Sequence, residues 1–453
     1  MIRKAYVKQF SVLLPVYFST YMTGTTTGWL PCAIYLYTEI EAKITLAPFD
    51  YFSLVSTAEA GKILLALPAS WMMDRYGRSA NIKAAGYLHV VGWFIICFTD
   101  NLWVIYFARV ILGGATACAI AAALIMVGEI TSATIRGRMT SLMQIFMLLG
   151  NATPAVIMAW YPSSRVLAYF ITGLSVLCAI TNQLLMESPY FLVSKLNLKQ
   201  ARENLSYLRR GYTEEEIDSE MDIIQTYISN EQRHTRSTSN CIGHLKLPFV
   251  RKPLITMFLL NFFNNSSGIP MLLSVCTIVL GENSLIAKKC YFIVTIIVAL
   301  IFGGAVITLI ESFSRKHFYI FGAISTGILQ AINGFTWYIY NMEKNQYWYW
   351  LFFIGNLALG IFWNGILSPL KGTVRSEILP QAAKSTENIL SLVAQALALG
   401  SSFLIFHNTS LNVAYWIYAV CCEVLAVIIY IQVPDGRGKT LAWIQMELND
   451  ELT

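Results

Sequence analysis

The residues Asp74-Arg75-Tyr76-Gly77-Arg78 set three charges in five positions between two apolar stretches, at about 51–73 and 80–98. Each stretch is close to the roughly 20 residues with which a helix crosses about 30 Å of hydrocarbon, so the charged turn reads as a short cytoplasmic loop joining two membrane spans. A weaker echo, Glu311-Ser312-Phe313-Ser314-Arg315-Lys316, follows about half a chain later. Recurrence at that distance predicts a protein built from two related halves.

Composition agrees. Of 453 residues, 56% are hydrophobic and 13% charged, against roughly 25% charged in an average soluble protein. A water-facing surface cannot be made from such a chain. Twelve apolar runs are expected to span, at about 12–37, 51–73, 80–98, 102–128, 139–160, 166–186, 253–280, 290–311, 317–340, 347–374, 388–406 and 412–432. The expected fold class is therefore an all-α membrane protein with twelve transmembrane helices in two six-helix bundles. Its expected parts are a first bundle over 1–186, a cytoplasmic linker over 187–252, a second bundle over 253–433 and a tail over 434–453.

Lys and Arg stay on the cytoplasmic side when a chain inserts. With both termini inside, 24 basic residues fall on cytoplasmic segments (counting Lys83, at the cytoplasmic end of span three), 5 on outer loops and 3 within spans (Lys62, Arg109, Lys371), which accounts for all 32. The formal charge of +6 then reflects orientation in a bilayer, and no nucleic-acid partner is implied. Arg3, Lys4 and Lys8 ahead of an apolar run resemble a signal peptide, but the run is too long and no small-residue cleavage site follows, so it is expected to be span one. The nine cysteines lie mostly inside spans (Cys32, Cys97, Cys118, Cys178, Cys276, Cys421, Cys422), where a thiol packs as a small hydrophobe. No disulfide framework, metal site or cofactor motif is expected.

Polar residues inside spans carry the functional information, because an isolated charge at mid-membrane costs roughly 2.5–3.5 kcal/mol. Span one holds Gly24-Thr25-Thr26-Thr27-Gly28, in which glycines admit another helix and the hydroxyls either face a polar cavity or bond back to their own helix. Glu59 and Lys62, three apart on span two, are expected to neutralise each other. Asp74, Arg75, Arg78, Arg109, Glu129, Arg136 and Arg138 are expected at one membrane level, where opposed charges clasp helix ends in one conformation and release them in another. With Glu311, Arg315 and Glu377 of the second half they form the expected cytoplasmic gate.

Between Glu187 and Lys252 the composition turns soluble. Ala201, Leu205 and Leu208, then Ile217, Met221 and Ile224, recur at helical spacing and predict two short amphipathic helices. Thr213 and Glu216 form a capping box for the second. Residues 230–240 lack periodicity and read as a flexible tether.

The second half opens with Asn261-Phe262-Phe263-Asn264-Asn265-Ser266-Ser267-Gly268-Ile269-Pro270. Carboxamides, hydroxyls, Gly and Pro in mid-span predict a broken helix lining a cavity, the arrangement of a secondary transporter; interhelical hydrogen bonding is the competing explanation. Amides donate to and accept from hydroxyls, so a polyol or sugar is the expected ligand type. Lys371, in Ser368-Pro369-Leu370-Lys371-Gly372 of span ten, either snorkels to the cytoplasm or presents its charge to the cavity. The sequon Asn408-Thr409-Ser410 sits in a very short outer loop, a poor place for a glycan.

Taken in order, these motifs resemble the sugar-porter branch of the major facilitator superfamily, and within it the insect facilitated trehalose transporters, over essentially the whole chain. Asp74-Arg75-Tyr76-Gly77-Arg78 is similar to that family's D-R-x-G-R-R with Ser79 in the last place, and Arg109 to Gly113 matches its R-x-x-x-G. Glu129-Ile130 with Arg136-Gly137 matches its E-I then R-G signature, Glu187-Ser188-Pro189 resembles its P-E-S-P-R without the first Pro and final Arg, and Val433-Pro434-Asp435-Gly436-Arg437-Gly438-Lys439-Thr440-Leu441 resembles its V-P-E-T-K-G-K-T-L. The resemblance implies alternating access and assigns Gln144 of span five to substrate hydroxyls. It aligns Asn264-Asn265 with a Q-Q pair, Gln395-Ala396 with N-W, and Ser368-Pro369-Leu370-Lys371-Gly372 with G-P-I-P-W, so the stacking tryptophan is gone. Scaffold motifs survive better than site motifs.

The expectation is facilitative transport of a sugar of the trehalose or hexose class, without catalysis, by a monomer in the plasma membrane with both termini cytoplasmic. The expected substrate contacts are Gln144, Asn264, Asn265, Lys371 and Gln395. Proton-coupled members of the family carry an Asp in span one and Thr25-Thr26-Thr27 offers none, which implies uniport. The alternatives are an organic anion selected by Lys371, or a nutrient receptor that binds without transporting.

Overall fold

The computed structural model describes residues 2–41, 48–132, 135–236, 248–269, 315–379 and 384–433. Regular structure among these residues is helical throughout. The first half comprises α1 (Ile2–Tyr35, continued by a π turn at Leu36–Ile40), α2 (Pro48–Tyr76), α3 (Arg78–Cys97), α4 (Leu102–Ile130), α5 (Arg136–Trp160) and α6 (Ser164–Asn182). The linker carries α7 (Pro189–Ser194), α8 (Leu198–Leu208) and α9 (Glu214–Arg236). The second half comprises α10 (Pro248–Ser266), α11 (Arg315–Glu343), α12 (Gln346–Phe362), a π turn at Trp363–Leu367, α13 (Ser368–Ile378), α14 (Lys384–Asn408) and α15 (Leu411–Gln432). These helices stand where eleven of the twelve spans were expected; span eight, 290–311, lies outside the described residues, as does the second part of span seven. Eight, counting α12–α13 as one, are long and apolar enough to cross a membrane on length and composition alone.

Local chemistry explains the element ends. Asn101 and Asn345 open the fourth span of each half in the same way, each side-chain oxygen accepting from the backbone N–H two residues on, at 2.9 and 3.0 Å. Pro369 has no N–H for the carbonyl of Gly365, so the helix widens there: the Ser368 N–H reaches back to Trp363 O, and α13 continues beyond the wider turn. α10 stops at Ser266, and Gly268 takes φ +69°, a conformation that disfavours any side chain. A Cβ on Gly268 would also stand 2.5 Å from the Tyr418 ring, so two independent requirements select glycine at the break.

Glycines set the packing of the first half. A Cβ on Gly24 or Gly28 of α1 would collide with the α5 backbone at Met147 and Asn151, and one on Gly150 of α5 would collide with the Tyr21 carbonyl of α1. Gly61 of α2 and Gly113 of α4 make the same reciprocal approach at Val110 and Ala58. Close approach gives dispersion contacts that hold helices together where lipid is as apolar as leucine. The hydroxyls between Gly24 and Gly28 bond back to their own helix: Thr25 to Met22 O (2.7 Å), Thr26 to Met22 O (3.1 Å) and Thr27 to Thr23 O (3.2 Å).

The linker helices form a plate under the first half. Ala201 and Leu205 pack with Ile217, Met221, Ile224 and Leu192 into a small core. The Thr213–Glu216 capping box is formed, with N–H···O distances of 2.8 and 3.3 Å in its two directions. The plate is bonded to the bundle by Arg209, which donates to Ile130 O at 3.1 Å and pairs with Glu220 at 2.7 Å, and by Lys8, which donates to the Tyr207 hydroxyl. The stretch from residue 230 that was expected as a tether is helical as far as Arg236, where α9 ends. Its last turns, Glu231-Gln232-Arg233, are good helix formers extending an existing helix, which needs no new nucleus. Residues 237–247 lie outside the described set.

Candidate functional site

The two halves meet along a seam where α13 packs on α5 and α4, and α14 packs on α2. At the point of contact a Cβ on Gly372 of α13 would touch only Thr140 Cγ2 (3.7 Å) and Leu124 Cδ2 (3.5 Å). Gln144 follows Thr140 by one helical turn and is half-buried. Lys371 precedes Gly372 and is half-buried too. Gln144 and Lys371 thus each lie within one turn of the place where α13 meets α5, while Gln395 sits half-buried on α14.

Asn264 and Asn265 lie in the last turn of α10 before the break, both buried. Their situations differ. Asn265 donates to Asn261 O of its own helix at 2.7 Å. Asn264 is fully buried, and neither its amide nitrogen nor its oxygen has a hydrogen-bond partner among the described residues. A buried carboxamide left unmatched costs about 1–3 kcal/mol, so Asn264, like the Ser266 hydroxyl on the same turn, also unmatched among the described residues, has hydrogen-bonding capacity to offer a ligand.

The break is braced from behind by residues the sequence reading passed over. Gln330 of α11 donates to Ser267 O at 2.6 Å, Cys422 of α15 donates to Gln330 Oε1 at 3.4 Å, and Tyr418 donates to Ser402 O at 2.6 Å. Asn333, one turn from Gln330, is fully buried with both amide atoms unmatched among the described residues. Gln330 and Asn333 are carboxamides on one face of a membrane-spanning helix, the same signal that drew attention to Asn264.

Charges concentrate at the linker end. Arg78 pairs with Glu129 at 3.1 Å, joining the start of α3 to the end of α4, and its guanidinium lies 5.1 Å from the Phe191 ring. Glu187 caps α3, accepting from the backbone N–H of Arg78 (3.0 Å) and Ser79 (3.1 Å) and from the Ser79 hydroxyl (2.6 Å). An acidic group there also meets the positive end of the helix dipole. Arg136 is half-buried within electrostatic reach of Tyr190 and Arg209. Asp74 and Arg75 are exposed, with Arg75 lying over the rings of Trp71 and Tyr76. In the second half Arg375 pairs with Glu387 at 2.5 Å, binding α13 to α14. Arg315 opens α11, Glu377 is in α13, and Glu311 lies outside the described residues.

Arg109 is a correction. It was expected level with Glu129, but twenty residues of continuous helix put the two about 30 Å apart along α4. Arg109 lies toward the far end, donating to Thr26 O (2.8 Å) and Leu54 O (3.2 Å), 5.6 Å from the Trp29 ring. It ties α4 to α1 and α2 and is no part of a gate at the linker end. Glu59 and Lys62 form their expected pair at 2.6 Å.

A family model described as Sugar (and other) transporter matches residues 7–448. The chain belongs to that family. Among curated relatives it is 24% identical over 395 residues to the facilitated trehalose transporter Tret1 of Apis mellifera ligustica, covering 82% of this chain and 74% of that one. It is 26% identical over 216 residues to inositol transporter 4 of Arabidopsis thaliana, covering 47% of this chain and 36% of that one. In fold it matches the major facilitator superfamily proton:xylose symporter XylE bound to 6-bromo-6-deoxy-D-glucose, with a TM-score of 0.83 over 98% of this chain and 99% of that one at 20% identity. The protein is a multi-pass membrane transporter of the major facilitator fold.

Proposed function

We propose that the chain carries a small polyhydroxylated solute of the sugar class down its gradient, by alternating exposure of a site at the seam. The observation that carries this reading is Asn264, a fully buried carboxamide with both atoms unmatched among the described residues, directly before the broken end of α10. Gln144 supplies a second amide from the other half. Amides are suited to hydroxyls because each offers donors and an acceptor to a group that is both. Asn265, Gln395 and Lys371 complete the candidate set, with the Arg78–Glu129 pair, Asp74, Arg75, Arg136, Arg315 and Glu377 at the gate end.

Uniport is the preferred mode, because α1 has no carboxylate from Ile2 to Tyr35 to bind a proton. We place both termini in the cytoplasm of a plasma-membrane monomer, with the halves divided by a linker over 187–252. The test is uptake of radiolabelled trehalose, glucose and myo-inositol into vesicles containing the protein. Saturable uptake lost in Asn264→Ala and Gln144→Ala is the expected result; uptake abolished by a protonophore would overturn uniport, and none of the three moving would overturn the substrate class.

A further inference from the structure

Lys371 is a span-ten cation that has no ion pair among the described residues. Around it stand Lys62 of α2 and Arg375 and Glu387 of the second half, all within electrostatic reach. Lys62 is paired with Glu59 and Arg375 with Glu387. Among the described side chains this group therefore holds three cations and two carboxylates, and each carboxylate is paired with a cation other than Lys371. Arg109, also within reach of Glu59, is held by two backbone carbonyls farther along α4. Lys371 makes no ion pair or hydrogen bond with any described residue, although it is half-buried beside the point where α13 touches α5.

A lone ammonium in a membrane span is retained where it faces a solvated or ligand-filled cavity. Snorkelling does not relieve it: side chains lean toward the N-terminus of their helix, and for Lys371 that direction leads away from the linker end and into the span. Its position is also shared. Gly372 next to it meets Thr140, and Gln144 is one turn beyond Thr140 on the same helix. One seam thus presents an amide suited to hydroxyls and a surplus of one positive charge.

We propose that the preferred substrate is a polyhydroxylated monocarboxylate, a sugar acid of the aldonate or uronate class, with its carboxylate on Lys371 and its hydroxyls on Gln144 and the α10 amides. This rests on the transporter reading above and narrows its substrate. A surplus of one charge selects a monovalent group over a phosphate ester, and a hydroxyl-bearing chain separates the substrate from simple organic anions.

The experiment uses the full chain in proteoliposomes with radiolabelled gluconate, glucuronate and glucose. Wild type is expected to take up gluconate or glucuronate saturably, and at lower concentration than glucose. Uniport of a monovalent anion also responds to voltage: an inside-positive potential of about 60 mV set with potassium and valinomycin should raise its accumulation about tenfold, and leave glucose distribution unmoved. Lys371→Met should raise the half-saturating gluconate concentration at least about tenfold, with Lys371→Arg restoring it to within about threefold. Surface labelling and size-exclusion profiles show whether each variant folds. Glucose uptake without uptake of either acid would overturn this inference and leave the sugar-transporter reading standing. Acid uptake unchanged in a folded Lys371→Met would overturn the role of Lys371, and transport of neither class would overturn both readings.

Discussion

Replacing Glu187 tests whether the linker end is held by one carboxylate. In Glu187→Ala the backbone donors of Arg78 and Ser79, now at 3.0 and 3.1 Å from that carboxylate, lose their acceptor at a part-buried site. Each unmatched donor costs about 1–3 kcal/mol, and loss of the charge facing the α3 dipole adds about 0.3–1. Part of this is recovered by water, so a total of about 2–4 kcal/mol is expected. For a cooperative unit of 150–250 residues each kcal/mol shifts the melting temperature by about 2–4 °C. Thermal unfolding in detergent should therefore show a drop of about 4–16 °C. Glu187→Gln keeps one acceptor oxygen and should lose less than half as much. Gly77 adds a cross-check, since its φ of +103° disfavours a side chain and a Cβ there would collide with the Glu187 carboxylate. Gly77→Ala should thus be more costly in wild type than in Glu187→Ala, a coupling that a double-mutant cycle reads directly. An alanine variant melting within 2 °C of wild type, or strict additivity with Gly77→Ala, would refute the capping role.

Other expectations follow from packing and charge. Gly150→Val drives a side chain into the Tyr21 carbonyl and should cost about 3 kcal/mol or abolish surface expression, whereas Gly173→Ala, where a Cβ meets nothing within 4 Å, should be neutral or slightly stabilising by melting temperature. Arg202 holds the Asp218 carboxyl below its usual range in the folded linker. Its contribution is present above the ordinary carboxylate pKa and is lost as pH falls through the lowered one, so hydrogen exchange in α8 and α9, corrected for its intrinsic pH dependence, should quicken below about pH 4 and do so less in Asp218→Asn. Glu423 is exposed in mid-α15, against Gly327 of α11. Removing a carboxylate from a lipid-facing site favours the inserted state by about 2–3 kcal/mol, so Glu423→Leu should raise the melting temperature in detergent or lipid nanodiscs.

Span positions were legible because hydrocarbon leaves few solutions: a run of twenty apolar residues has to be a helix, and basic loops orient it. The capping box of α9 and the Glu59–Lys62 pair were legible because both partners lie within one turn. Arg109 was misplaced because a count of charges near span ends does not say which end each is on, whereas 1.5 Å per residue does. The π turn at Trp363–Leu367 has a local cause in Pro369, but most prolines in spans, such as Pro154 of α5, sit in unbroken helix, so the residue alone does not announce it. Gln330 was not found because its partner, the Ser267 carbonyl, is 63 residues away and is freed only once α10 breaks.

The gate reading also changes once distances replace levels. The clasp expected from the sequence joined opposed charges in one conformation and parted them in the other. Arg78–Glu129 instead binds α3 to α4 inside the first half, and Arg375–Glu387 binds α13 to α14 inside the second. A bond within one half moves with that half and need not break when the halves rock. Such pairs stiffen the two moving bodies, with Glu187 and Arg209 extending the first body into the linker plate. Among the described residues the contacts across the seam beside Lys371 include softer ones: side-chain tips of Thr140 and Leu124 facing Gly372, and the packing of α14 on α2. Halves stiffened in this way are suited to alternating access, because a rocking motion then gives up dispersion contacts such as those at Gly372, worth about 0.1–0.2 kcal/mol per atom pair, and keeps the Arg78–Glu129 and Arg375–Glu387 pairs intact. On this argument Gly372→Leu, which wedges the seam, should slow transport more than Glu129→Gln, which loosens one body; the opposite order in uptake rates would return the gate to the charges.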